Sequence, residues 1–184
     1  GSPYFLQQGL LYPYNAGLGF VMAVLRTGQW DAINAAYASP PLSTEQVLHP
    51  DKYLQGERPK AVALPDVATA LGQDWREVYS DVMGEFSLRI YLETLTREDV
   101  AARAATGWGG DRFTLLEGPQ GEHAFASLLV WDSDTDAREF FNALDSSGGV
   151  PQEGYLGIQG DLVLWVLSPA KALTREIRAQ FEGF

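Results

Sequence analysis

The chain has 184 residues, 46% of them apolar, enough for one large domain or two small ones around a real core. Its 24 acidic residues outnumber 13 basic ones, for a formal net charge of -11, which argues against DNA, RNA or anionic lipid as partners because those demand a Lys/Arg-rich face. The lack of cysteine removes disulfides, thiolate zinc sites and cysteine nucleophiles together, and no apolar run reaches the roughly 18 to 20 residues of a membrane helix.

The opening Gly1-Ser2-Pro3 lacks the charged and apolar segments of a secretory signal, so no address is readable; a native loop and a cut from the interior of a longer protein would look alike here. Over residues 14–25, Ala16, Leu18, Phe20, Val21, Val24 and Leu25 recur at three- and four-residue spacing, with Pro13 near the start and Gly28 after the end, which predicts a buried helix. Residues 29–37 repeat the pattern with Trp30, Ile33, Ala36 and Tyr37, and Ser39-Pro40-Pro41 stops it.

Ser43-Thr44-Glu45-Gln46 places a hydroxyl three residues before a Gln, the pattern of a capping box, and puts Val47 and Leu48 towards the core until His49-Pro50 ends the helix. Residues 51–65 read as an irregular connection anchored by Tyr53 and Leu54. A further helix is predicted from about Asp74 through Glu85, Leu88, Tyr91 and Leu92 to Leu95, with Gly84 inside it or breaking it. Thr96-Arg97-Glu98-Asp99 then resembles an N-cap with acids in the first turn.

After Gly109-Gly110 the period changes. Residues 112–116 and 123–131 are rich in β-branched and aromatic residues around a Gly118-Pro119 turn and predict a hairpin, followed by a helix over 135–144. A loop at 146–151 precedes strands at 155–158 and 162–167, and Ser168-Pro169 opens a last helix to about Phe181. The expectation is an α+β protein: a helical subdomain over 1–95, then over 96–184 a small antiparallel sheet in ββαββα order with helices on one face.

Few constellations suggest chemistry. His49 and His123 are the only imidazoles, and neither has a second histidine at helical spacing, so a two-histidine zinc helix is excluded within the chain. Glu45 lies four residues before His49 and shares its helix face, as a ligand or acid-base pair or as a surface contact; His123 opens a strand and reads as structural. Asp132-Ser133-Asp134-Thr135-Asp136 imitates a calcium loop, but Ala137 stands where Gly is required and Ala143 where a bidentate Glu is required, so acidic capping of a helix is the better reading. The loop at Trp108 and Asp111 either faces a ligand or is a glycine turn with Trp108 packed in the core.

Three stretches, LYPYNAGLGFV at 11–21, GQWDAINAAY at 28–37 and PPLSTEQVLHPDKY at 40–53, resemble the C-terminal helical portion of certain uncharacterised bacterial zinc-metallopeptidase-like proteins of the gluzincin type. Weaker similarity continues into Gly84-Glu85-Phe86. In such proteins a Tyr-x-x-Gly-x-x-Phe-Val helix follows the active-site helix, whose two histidines and glutamate bind zinc and activate water, and a later helix donates a third, acidic ligand. No His-Glu-x-x-His stretch occurs here, so no family catalytic residue maps onto this sequence and those elements would lie before residue 1. The resemblance implies that this chain holds no cofactor while a longer parent holds zinc, that its partner is an upstream domain of the same protein, and that its setting is extracytoplasmic. Tyr14 and His49, with Glu45, would then line the cleft of the complete enzyme, against the alternative of simple helix packing. The function expected is a non-catalytic C-terminal scaffold or interaction region. The alternatives are a stand-alone module binding a peptide, small molecule or protein, and a degenerate enzyme relative kept as a scaffold.

Overall fold

The structure, a computed structural model, describes residues 3–184; Gly1 and Ser2 lie outside the described residues. Both helices expected from 14–25 and 29–37 fall within α1 (Tyr4–Ala38), and they meet at a break where Gly28 is extended and Gln29 is left-handed, with φ 57°. The first starts earlier than the pattern indicates and runs through Pro13, whose missing N–H leaves the Gly9 carbonyl without its helical donor. The expectation of a buried helix is overturned. Only Phe20, Val24 and Ile33 of α1 are buried, while Tyr14, Leu18, Val21 and Trp30 face solvent because no described element covers that side.

In α2 (Thr44–Leu48) the Ser43 hydroxyl accepts from the Gln46 amide at 3.2 Å, as the capping pattern requires. The Gln46 side chain does not return to Ser43; it accepts from the Leu42 amide at 2.6 Å and donates to the Glu57 carbonyl. Glu45 and Gln46 are the buried residues of α2, and Val47 and Leu48 are half-buried. Pro50 ends α2 and also begins α3 (Pro50–Leu54), so part of the expected irregular connection is helical. Tyr53 anchors it through a 2.7 Å bond to the Ser39 carbonyl and an edge-to-face contact with Phe20, whereas Leu54 is exposed. Asp66 caps the short α4 (Val67–Leu71).

The single helix expected over 74–95 is instead β1 (Arg76–Asp81) followed by α5 (Gly84–Glu93). Val78 and Ser80 alternate with exposed Glu77 and Tyr79, and Gly84, at φ 72°, turns the chain between strand and helix. Next comes α6 (Glu98–Ala105), whose first turn carries Glu98 and Asp99 as predicted, although the cap position is Arg97 and no side chain caps it. β2 (Trp108–Glu117) and β3 (His123–Trp131) form the expected hairpin; α7 (Asp134–Ser146), β4 (Tyr155–Gln159), β5 (Leu162–Leu167) and α8 (Lys171–Arg178) complete the predicted order.

The five strands make one antiparallel sheet in the order β1-β2-β3-β5-β4. The α+β class therefore stands, with β1 added at one edge. The helices are not confined to one face. Leu129, Trp131, Val163 and Trp165 point to α5, α6 and α7, where Leu88, Leu92, Phe140 and Leu144 meet them. The alternate residues Ala124, Ala126, Leu164 and Val166 point the other way and are covered by Val67 of α4 and by Ile177 and Phe181 of and after α8. Period-two alternation with apolar residues on both sides of β3 and β5 requires cover on both faces, which one helical layer cannot provide. Three elements before residue 95, α4, β1 and α5, pack into these layers. No helix of the described residues is long and apolar enough to cross a membrane.

Candidate functional site

Charged and polar side chains converge where α2, α3 and α5 meet the end of β3. Glu45, only 2% exposed, receives a 2.7 Å bond from the Lys52 ammonium. Lys52 is reached because α3 turns back over α2 at Pro50, and it also donates to Glu57 at 2.9 Å and to Asp132 just beyond β3. His49 turns away from Glu45: its Nε2 lies 2.8 Å from Oε1 of Glu85, another carboxylate 2% exposed, in the first turn of α5. The second Glu85 oxygen is buried with no hydrogen-bond partner.

These groups fix each other's protonation. Burial pushes the Glu45 carboxyl up to about 7, and nearby Asp132 and Glu85 add to this, against the opposing pull of Lys52. Burial works against the Lys52 ammonium, but its bonds to Asp132, Glu45 and Glu57 outweigh it and hold the group above the ordinary lysine value. The bond to Glu85 raises His49 despite burial. Tyr12 of α1, whose hydroxyl donates to the Thr44 carbonyl at 3.0 Å and whose ring lies on Phe86, is raised by burial and then by the charge of Glu85.

Glu45, Glu57 and Asp132 each offer an oxygen, all within 4.8 Å of one another, a spacing at which carboxylates share a cation. The Lys52 ammonium contacts all three and supplies that cation itself. The oxygen-only set suits a hard ion and not zinc, whose sites favour nitrogen and sulfur ligands. With the Lys52 ammonium as its cation, the arrangement ties α2 and α3 to the end of β3.

A second polar centre lies nearby. Asp111, buried on β2, accepts from the amides of Met83 and Gly84, both at 2.9 Å, and from Trp108 Nε1 at 2.8 Å, so it holds the entry of α5 from across the sheet. Burial raises its carboxyl above the usual range, opposed by these three donors. Trp108 is 1% exposed and belongs to the core, so of the two readings of this loop the packed one describes the ring. Both residues nonetheless border a cleft of about 470 Å³, open to solvent beside Thr44, Lys60 and Arg112. Lys60 reaches the site because its backbone crosses Gly110 so closely that a Cβ there would overlap the Lys60 carbonyl.

Sequence reasoning brought Glu45 and His49 together on one turn, and the structure places them side by side with different partners. Tyr14 is 75% exposed on α1, on the solvent side of that helix. His123 opens β3 at the surface opposite Glu117. In the calcium-like segment, Ser133 caps α7 and Asp134 and Asp136 occupy its first turn, while Asp132 joins the Lys52 cluster. Lys52, Glu57 and Glu85 were missed. No spacing rule connects them to Glu45, although a lysine seven residues after a buried acid would have been a usable hint.

Fold and site together define an α+β protein whose most conspicuous polar centre is a charge lock between a helical segment and a sheet. Residues 71–175, more than half of the chain, match the family described as Domain of unknown function (DUF8575), and the chain belongs to that family. The match runs from the end of α4 into α8 and leaves α1, α2 and α3 outside it. No curated protein and no solved structure matches the chain.

Proposed function

We propose that this chain is the non-catalytic C-terminal region of a larger zinc-metallopeptidase-like protein, in which α1 docks on an upstream domain and the DUF8575 sheet serves a scaffold or interaction role. The observation that supports it is the uncovered side of α1. Leu11, Tyr14, Leu18 and Val21, all exposed, follow one another at alternating three- and four-residue spacing, the seam of a helix meant to pack on another helix. Leu10 beside it is 74% exposed and Leu18 62%. No charged residue occurs from Pro3 to Leu25 in a chain whose net charge is -11. A solvated helix carries charge on its outer face, whereas one that meets a protein partner is depleted of it.

The same face contains Tyr14 and Val21 of the Tyr14-x-x-Gly17-x-x-Phe20-Val21 stretch on which the gluzincin resemblance rests, while Phe20 turns inward. In the longer protein Tyr14 would lie in the joint between the two parts, while the Glu45, Lys52 and Asp132 lock holds the helical segment to the sheet behind it. The test has two steps. The reading frame upstream of residue 1 should encode a His-Glu-x-x-His helix, and the longer protein should bind zinc stoichiometrically while this chain does not. A frame without that helix, or tight stoichiometric zinc binding by the chain alone, overturns the proposal.

A further inference from the structure

Six of the 13 basic residues of this acidic chain form ion pairs with acids among the described residues, and of those that do not, three stand together on one helix. Lys171, Arg175 and Arg178 stand at i, i+4 and i+7 on α8, and none has a carboxylate in ion-pair contact among the described residues. All three line one open cleft of about 330 Å³ together with Glu153, Tyr155 and Thr174. Arg178 is half-buried and stacked on the Tyr155 ring at 4.3 Å, which fixes its guanidinium in place. Thr174 is buried beneath them and ties α8 to the Glu153 carbonyl, so the floor of the cleft is rigid. Glu153 is the one acid in the lining; Glu176 belongs to α8 but not to the cleft.

The opposite wall of the cleft leads into β4, and β4 is the outermost strand of the sheet. One hydrogen-bonding edge of its backbone therefore has no neighbouring strand, and such an edge is a template for a further one. Three cations at this spacing cover about 10 Å along the helix axis. That length spans two successive same-face residues of an extended strand, which recur about every 7 Å.

We propose that the groove between α8 and the free edge of β4 binds an extended acidic peptide segment, which adds to the sheet as a sixth strand and presents alternate carboxylates to Lys171, Arg175 and Arg178. Backbone pairing supplies the affinity and the basic stripe supplies the selection for acid. The groove is independent of α1 and of the zinc-peptidase proposal, and either can fail without the other.

The experiment uses the full chain and a fluorescein-labelled ten-residue peptide alternating glutamate and valine, with its lysine-for-glutamate counterpart as control. Work at about 0.15 M salt, where the screening length is about 8 Å, keeps the overall negative charge from hiding the local patch. The acidic peptide should bind and the lysine peptide should not. The double variant Lys171→Glu with Arg175→Glu, at exposed positions without partners, should weaken binding about tenfold or more. Arg26→Glu with Arg103→Glu, the same change in net charge elsewhere, should leave it within about twofold. Backbone amide signals of residues 155–159 should shift on peptide addition. The proposal is overturned if both peptides bind alike, if the α8 double variant binds as the parent does, or if the β4 amides stay still. Complete displacement by millimolar inorganic phosphate also overturns it, because the groove would then be a simple anion site.

Discussion

Helix α1 and the sheet use the same kinds of residue to opposite ends. Leu129, Phe140 and Trp165 are sealed between the sheet and α5, α6 and α7, whereas Leu10, Tyr14 and Leu18 lie open on α1. Both regions carry clean apolar periodicity, so the difference does not lie in the pattern. Periodicity tells which side of an element is apolar; whether anything covers that side depends on chain elsewhere. The DUF8575 match, which spans the sheet and stops short of α1, divides the molecule in the same way.

The strongest way to break this contrast is a matched pair of truncations. Leu129→Ala removes a fully buried side chain and leaves a cavity, and should lower the unfolding free energy by about 2–5 kcal/mol. Leu18→Ala removes an exposed one and should change it by no more than about 0.5 kcal/mol. Urea titration of both variants measures the difference. Equal costs would mean that α1 is covered in solution.

The join between the two regions responds to pH. Glu45 titrates at about 7 in the fold against an ordinary 4.5, because burial disfavours its charge. A carboxyl that holds its proton more tightly when folded contributes its stability in full below its ordinary value, and loses it as pH rises through its folded value. His49, raised by Glu85, acts in the same direction: its contribution is present below the ordinary 6.5 and is lost as pH climbs past its folded value. Asp66 and Asp81 have the opposite sign, but their lowered carboxyls titrate below the ordinary 3.8, outside this window. The melting temperature should therefore fall between about pH 5 and pH 8. Glu45→Gln should flatten the lower part of that slope and leave the upper part, which belongs to His49. A melting temperature that rises from pH 5 to pH 7 in the parent would show Glu45 to be ionised and the lock to be solvated.

Much of the sheet was legible in advance because its signals are local. β3 and β5 are runs of branched and aromatic residues entered from glycine turns, and they lie where the pattern put them. β1 was not legible: it has only Val78 and Tyr79 as strand formers, and its conformation is decided by pairing with residues 113–117 of β2. The charge cluster was half legible for the same reason. Glu45 and His49 share one helical turn, but Glu85 is 36 residues from His49 and Asp132 is 80 from Lys52, and no periodicity spans such distances. The uncovered side of α1 was misread as core because the sequence of a buried helix and that of a docking helix have the same apolar stripe.

Within α1 itself the break at Gln29 offers a smaller test. Its φ of 57° with ψ of -143° is a conformation that a side chain disfavours and glycine accepts, and no other non-glycine described residue has a positive φ. Gly28, next to it, has no positive φ, but a side chain there would press on the Ala32 methyl, 3.2 Å from where its first carbon would stand. Gln29→Gly relieves the strain at the price of a more mobile unfolded chain, for a net gain of about 1 kcal/mol or less. The side chain faces solvent, so no contact is lost to confuse the result. If the bend is fixed by the packing of Ile33 with Val24 and Phe20, the gain should appear in urea titration with the helix content unchanged. A loss of stability would mean instead that α1 straightens through residue 29 when nothing is docked against it, and that the two helices seen here are one.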